Sequence, residues 1–260
     1  MTRSSLSIAR DGAVATVTLD RPDRMNALDR AMWAQLEGAM HTLSAEDDLR
    51  CVVLRGAGGR AFAAGADIAE FETERANAQQ ASGYGSLIHD AMQAVARCRH
   101  PTLALIEGAC IGGGLEIAAM CDLRICGASS RFGVPINRLG LTMGYGELQG
   151  LLGLVGRAVA LEILLEGRVF GAQEAYEKGL VNRVVPDSEV EPEAYATAQR
   201  IAAGAPLVAR WHKQFIERLG GNAELSPQEW SEGYACFDTE DYREGVAAFV
   251  AKRKPDFRGR

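Results

Sequence analysis

Short stretches of hydrophobic residues predict strands along the first half of the chain. Residues 6–9 and 13–19 alternate between apolar and polar positions on either side of Asp11-Gly12, a pair that favours a tight hairpin turn. Short, mostly apolar segments predict strands at three further places, 51–54, 102–106 and 123–126, the first of them buried.

Helical spacing of apolar residues separates these strands. Such residues recur every three or four positions after Asp29, whose side chain suits a helix N-cap, and again over residues 84–95, before Pro101. A short third helix is predicted over residues 115–120. Strands that alternate with helices predict an α/β protein built of stacked layers.

The pattern changes near residue 189, where strand signals end. Helical segments follow over 193–203, 206–219, 227–237 and 241–251. We therefore expect a core over residues 1–190 and a C-terminal helical region over residues 191–260. The sequence alone allows this region to be either a cap on the same core or an arm that forms oligomers.

Charge and composition exclude several functional classes. The net charge is -6 and no basic cluster precedes Lys252-Arg253-Lys254, so we expect no nucleic-acid partner. No continuous apolar run approaches the roughly 20 residues of a membrane span, so we expect no membrane partner. The six cysteines form no C-x-x-C pair and the four histidines are scattered, which predicts a cytoplasmic protein without a metal site.

Two loops rich in small residues are the strongest candidates for chemistry. Residues 61–68 contain Gly65 and end near Asp67, which can cap a following helix; residues 108–116 place three consecutive glycines at a helix start. Glycine lets a ligand approach the backbone closely, and helix starts attract negative charge. Either loop alone is also typical of a tight turn.

Together the loops suggest a site for an oxyanion. Two backbone N–H donors from separate loops can hold one developing negative charge, and one such donor contributes about 3–4 kcal/mol to the transition state. The glycines are not followed by the Gly-Lys-Ser/Thr of a phosphate-binding loop, and they lack dinucleotide-binding spacing.

The two segments 62–68 and 112–116 resemble the paired signatures of the crotonase (enoyl-CoA hydratase/isomerase) superfamily. Further segments resemble that family in the same order along the chain, namely 24–28, 132–135, 179–182 and 238–254. The resemblance implies a crotonase-like spiral of ββα repeats with two roughly perpendicular sheets and a C-terminal helical region. It also implies an acyl-CoA thioester substrate, a homotrimer or dimer of trimers, and no cofactor besides the coenzyme A of the substrate.

The resemblance also implies roles for individual residues. The N–H groups of Ala66 and Gly113 would hold the thioester oxygen, and Glu116 would act as an acid/base. Positions expected to contact the substrate or coenzyme A are Arg24, Ala27, Ala64, Asp67, Ile68, Gly112 and Gly144. The segment 71–84 is expected to set the acyl specificity.

The chain departs from the family at the second hydratase glutamate. That position, directly after the Phe-Gly-x-Pro segment, is Ile136, which cannot transfer a proton. We hypothesise that Glu147, in a glycine-rich loop, takes over this role, with helix capping as the alternative. Hydration of a 2-enoyl-CoA is the default activity. Isomerisation, decarboxylation or thioester hydrolysis by one carboxylate, or non-catalytic acyl-CoA binding, are the other possibilities.

Overall fold

Ten strands and ten helices form the part of the chain that the computed structural model describes, residues 5–221 and 224–260. The strands are β1 (Leu6–Asp11), β2 (Val14–Leu19), β3 (Cys51–Gly56), β4 (Ala61–Ala63), β5 (Thr102–Ile106), β6 (Ala109–Ile111), β7 (Leu123–Gly127), β8 (Arg131–Gly133), β9 (Phe170–Gly171) and β10 (Arg183–Val185). The helices are α1 (Arg30–Ala45), α2 (Phe71–Glu74), α3 (Ala78–Ala96), α4 (Gly113–Met120), α5 (Tyr145–Glu166), α6 (Ala172–Glu177), α7 (Val190–Ala202), α8 (Pro206–Gly220), α9 (Pro227–Glu232) and α10 (Glu240–Val250).

The strands belong to two sheets and alternate between them along the chain. The six-stranded sheet has the order β1-β2-β3-β5-β7-β10 and the four-stranded sheet the order β4-β6-β8-β9. The consecutive pairs β3–β4, β5–β6 and β7–β8 each place one strand in each sheet, and a helix follows each pair. This is a spiral of ββα repeats, so the predicted α/β class and spiral architecture are confirmed.

The five short strands β4, β6, β8, β9 and β10 are absent from the sequence prediction. Each has two or three residues. A period of two residues cannot be recognised over so short a length. The candidate loops at 61–68 and 108–116 therefore each begin with a strand, which the prediction of two plain loops missed.

Hydrophobic side chains on the two faces of the large sheet build two cores. One face packs with α1 and α3, and Trp33, Met40 and Tyr84 are among the residues buried there. Asp29 caps α1 as predicted, because its carboxylate accepts a hydrogen bond of 2.8 Å from the N–H of Met32. The long helices thus hold the sheet in place behind the candidate loops.

The other face of the large sheet is covered by α7. Val190, Ala194 and Ala198 of this helix pack with Val53 and Leu103 of the sheet. The predicted division at residues 190/191 falls at the first turn of α7. The helix contributes to a core that the first 190 residues largely form, and the division stays a prediction.

The C-terminal region is helical, as its pattern indicates. Helices α7, α8 and α10 agree with the predicted segments to within about three residues at each end. The predicted helix over 227–237 is instead the short α9 followed by a separate 3-10 helix, Ala235–Asp238. Helix α9 begins with a capping box between Ser226 and Glu229.

Helix α5 is long and largely apolar. It has 22 residues and by length and composition alone could cross a membrane, as core helices of other proteins also could. Polar residues and glycines interrupt its sequence, so it contains no long continuous apolar run. Gly156 adopts a left-handed φ of 71° and breaks the helix into two parts.

Candidate active site

Parallel pairing of β4 and β6 brings the two candidate loops together. Ala61 pairs with Ala109, and Ala63 pairs with Cys110. The loops that follow these strands therefore leave the small sheet at the same edge, where the carboxyl ends of parallel strands meet. This register places Gly65 beside Gly112 and Gly113.

The first loop is fixed by backbone hydrogen bonds to the segment before α1. The N–H of Leu28 donates to the Gly65 carbonyl at 2.8 Å, and the N–H of Asp67 donates to the Leu28 carbonyl at 2.8 Å. Ala66 lies between these bonds, and its own N–H has no acceptor among the described residues. A rigid loop with one free donor results.

The second loop ends in the first turn of α4. Gly112 has a φ of 50° and its N–H donates to the Gly133 carbonyl at 2.9 Å. Gly113 is the first residue of the helix, where an N–H has no intrahelical acceptor. A Cβ on Gly65 (φ 101°) would lie 3.2 Å from the Ile111 carbonyl oxygen and 3.7 Å from the Gly113 nitrogen, so the two loops are in contact.

Gly114 allows α4 to approach β4, which gives a prediction for stability. A Cβ on Gly114 would collide with the Ala63 carbonyl oxygen and lie 2.9 Å from the Ala63 Cβ. We expect Gly114→Ala to lower the free energy of unfolding by about 1–3 kcal/mol, because neither backbone can move freely. Denaturant unfolding measures this. Gly153→Ala is the control, because no atom lies near the new Cβ in α5, and it should not destabilise the protein. An equal loss of stability in the two variants would contradict the close packing of Gly114 against Ala63.

A cavity of about 200 Å³ opens beside the two loops. Most of the predicted site residues line it: Ala64, Ala66, Ile68, Gly112, Gly113, Glu116, Gly144 and Glu147. The remaining walls are largely apolar, with Trp33, Ile88 and Leu141 among them. The structure thus brings residues from five separate segments of the chain to one cavity.

Three predicted residues do not line this cavity. Arg24 is exposed, the Ala27 carbonyl accepts from Arg21, and Asp67 forms an ion pair with Arg21 at 2.8 Å. Asp67 also caps the 3-10 helix Ile68–Glu70 by accepting from the N–H of Ala69. Their assignment to coenzyme A stays a prediction, since they lie outside the cavity walls.

Glu116 has an unusual protonation equilibrium. It lies in the first turn of α4 among buried apolar neighbours, and it lines the cavity. Burial, followed by the nearby negative charge of Glu147, raises the pKa of Glu116 to about 8, while the charge of Arg75 opposes this. At neutral pH the carboxyl group therefore holds a proton that it can donate.

Glu147 is a buried carboxylate in the first turn of α5. Its side chain is 8% exposed and folds back over Gly144, where a Cβ would lie 3.1 Å from the Glu147 carboxyl carbon. Gly144 is therefore required for this position of the carboxylate. Glu116 and Glu147 face the same cavity from two different helices.

Ile136 lies in the 3-10 helix Pro135–Leu139 and also lines the cavity. It contributes an apolar surface where the resemblance places a glutamate. The neighbouring Asn137 does not line the cavity, and its Nδ2 donates to the Leu165 carbonyl at 3.0 Å. Asn137 therefore supports α5, and the second carboxylate of the cavity comes from Glu147.

Sequence reasoning did not single out Arg75. This residue follows α2, within the segment expected to set acyl specificity, and it lines the cavity with both carboxylates. Its sequence context, Glu72-Thr73-Glu74-Arg75, resembles an ordinary solvated helix end. Only the folded structure shows that Arg75, unlike an ordinary surface arginine, lines the cavity.

Comparison with known proteins identifies the family of the chain. The family model for enoyl-CoA hydratase/isomerase matches residues 9–260. A probable enoyl-CoA hydratase of Mycobacterium tuberculosis is 36% identical over 259 residues, which cover 99% of each protein. A crotonyl-CoA hydratase of Syntrophomonas wolfei is 32% identical, again over 99% of each protein.

Solved structures resemble the whole chain. An enoyl-CoA hydratase/carnitine racemase from Magnetospirillum magneticum has a TM-score of 0.98 and 52% identity, covering 100% of this chain and 97% of that one. An enoyl-CoA hydratase from Bacillus anthracis has a TM-score of 0.90 and 32% identity, covering 98% and 100%. The chain therefore belongs to the enoyl-CoA hydratase/isomerase family and is an enzyme of that type.

Proposed function

We propose that the enzyme adds water across the conjugated double bond of a 2-enoyl-CoA thioester. The observation that carries this proposal is the meeting of Glu116 and Glu147 in one cavity, close enough that the charge of Glu147 raises the pKa of Glu116. Water addition needs a proton acceptor for the water and a proton donor for carbon C2, and two carboxyl groups that face one cavity can supply both.

The thioester oxygen binds between the N–H groups of Ala66 and Gly113 in this proposal. Neither N–H donates to an acceptor among the described residues, and the two loops are in contact. As hydroxide adds to C3, electrons move from the double bond toward the thioester carbonyl and leave an enolate. The two donors stabilise the negative charge that develops on its oxygen.

The two carboxyl groups then have separate tasks. Glu147 accepts a proton from the attacking water, and protonated Glu116 donates its proton to C2 of the enolate. This balances the reaction, because the product gains one hydroxyl group and one hydrogen. The pair regains its starting state when the proton on Glu147 passes through solvent to Glu116.

The pH dependence of the reaction tests these assignments. Because protonated Glu116 is the donor, kcat/KM of crotonyl-CoA hydration should fall about tenfold per pH unit above a pKa near 8. The free-enzyme pKa governs this parameter, so initial rates at low substrate suffice. In Glu147→Gln the residual activity should fall at lower pH, because a charge that raises the pKa of Glu116 is gone. A rate that instead increases through pH 8 would make Glu116 a base.

Isomerisation of the double bond is the second candidate. The family includes isomerases by its description, and one carboxyl group that moves a proton between two carbons suffices for that reaction. The observation that favours hydration here is the presence of a second carboxylate, Glu147. The chemistry in either case needs no metal or redox cofactor, since coenzyme A is part of the substrate.

We further propose a cytoplasmic homotrimer or dimer of trimers. Large apolar side chains are exposed on α5 and on the C-terminal helices: Tyr145, Leu152, Leu165, Ile216, Leu219, Trp230, Tyr234 and Phe249. Apolar surface of this extent is typical of an interface between protein chains. Five of the six cysteines are buried and all six are free thiols, which supports a reducing compartment.

A further inference from the structure

Arg75 contributes a positive charge to a cavity that otherwise holds acidic and apolar residues. Among the described residues that line the cavity it is the single basic one. It is close enough to Glu116 to lower the pKa of that carboxyl group against the effect of burial. A cation beside the reacting groups is either part of the chemistry or part of substrate recognition.

Aromatic contacts hold the Arg75 side chain in place. Its guanidinium carbon lies 4.0 Å from the centre of the Tyr84 ring and 4.8 Å from the centre of the Phe71 ring. Both distances are within the range of cation–π attraction. Tyr84 is itself fixed, because its hydroxyl donates to Glu70 at 2.9 Å. The guanidinium group of Arg75 is therefore held in one position by its neighbours.

The neighbouring carboxylates are engaged elsewhere. Glu70 accepts hydrogen bonds from Tyr84 and from the backbone N–H of Arg30, while Glu74 pairs with the Arg30 side chain at 3.1 Å. The Nη2 atom of Arg75 is buried and has no hydrogen-bond partner within the described ranges. A buried donor without an acceptor is destabilising, and more so when it is charged.

We propose that Arg75 binds a carboxylate at the far end of the acyl group. The preferred substrate would then be the mono-thioester of an unsaturated dicarboxylic acid with coenzyme A. The thioester end of this arrangement rests on the function proposed above. A terminal carboxylate supplies a charged acceptor for the Arg75 Nη2, which has no hydrogen-bond partner among the described residues.

The position of Arg75 also suits discrimination between substrates. The walls near it are apolar and include Phe71, Ile88 and Ile136. A simple alkyl chain would fill this space but leave the buried Nη2 of Arg75 without an acceptor. Sites with a buried polar group reject substrates that cannot pair with it far more strongly than apolar pockets reject a changed alkyl chain. The cavity should therefore favour the anionic acyl group.

Binding of two saturated thioesters tests the inference without any turnover. We expect glutaryl-CoA, which carries a terminal carboxylate, to bind the wild type at least tenfold more tightly than butyryl-CoA in calorimetric titrations. Arg75→Met should remove this preference, and Arg75→Lys should retain part of it. Arg138→Met is the control, because Arg138 is exposed in the 3-10 helix of Ile136 and does not line the cavity.

Turnover separates the two proposals. We expect the ratio of kcat/KM for glutaconyl-CoA over crotonyl-CoA to exceed ten in the wild type and to fall at least tenfold in Arg75→Met. Two results would overturn the inference: equal affinities of the wild type for glutaryl-CoA and butyryl-CoA, or an equal loss of kcat/KM for glutaconyl-CoA and crotonyl-CoA in Arg75→Met. Hydration of crotonyl-CoA would still support the proposed function in both cases. Arg75-dependent glutaryl-CoA binding without hydration of either substrate would instead overturn the proposed function alone.

Discussion

Glu116→Gln should reduce kcat for hydration of crotonyl-CoA by a factor on the order of a thousand. The amide has nearly the same shape as the carboxylic acid but cannot donate the proton that C2 requires, and general acid–base catalysis contributes about 10²–10⁴-fold. Because α4 and the glycine loop do not depend on this side chain, the affinity for the thioester should change little. Loss of the conjugated thioester absorbance measures the rate, and titration with butyryl-CoA measures the affinity.

The control for this variant is Glu72→Gln. Glu72 is exposed on α2 and lies outside the cavity walls, so its amide should leave the rate unchanged. A large loss of kcat with unchanged binding indicates an interaction that exists only in the transition state. If Glu116→Gln hydrated crotonyl-CoA within a few-fold of the wild type, Glu116 would have no proton-transfer role.

Glu147→Gln should lower kcat by a factor on the order of a hundred or more. The amide can still orient water through a hydrogen bond, but it cannot accept the proton that water loses. This result would distinguish catalysis from helix capping. A residue that only caps α5 would lower the thermal midpoint when replaced and leave the rate nearly normal.

A second variant makes the test of Glu147 sharper. Ile136→Glu introduces a carboxyl group at the position where the family resemblance expects one, in a residue that lines the same cavity. Combined with Glu147→Gln, it should recover part of the lost rate if any carboxylate at this wall can accept the proton. A Glu147→Gln enzyme that retains nearly full activity would remove Glu147 from the mechanism.

The elements that the sequence predicted are those long enough to show the apolar repeat of a helix or a strand. These elements contain enough residues for an apolar face to be recognised: the hairpin, α1, the strands β3, β5 and β7, and the C-terminal helices α7, α8 and α10. The short strands of the small sheet were missed because their two or three residues follow no readable period. These same strands align the two candidate loops.

Candidate site residues could be predicted where a short sequence motif resembles that of a known family. The family resemblance of segment 112–116 implied roles for Gly113 and Glu116, and both residues line the cavity. The proximity of Glu147 to Glu116 depends on how α5 crosses α4, which no local pattern encodes. Arg75 was missed for the same reason, because its position at the cavity depends on contacts with the Phe71 and Tyr84 rings in the folded chain.

The most direct test of the central claim is the incubation of the wild-type enzyme with crotonyl-CoA. Loss of the conjugated thioester absorbance would be followed, and the product would be identified by mass spectrometry. We predict rapid formation of 3-hydroxybutyryl-CoA, one water heavier than the substrate, at rates that Glu116→Gln and Glu147→Gln both strongly reduce. Tight binding of the thioester without water addition would contradict the account and show that Ile136 marks a different reaction.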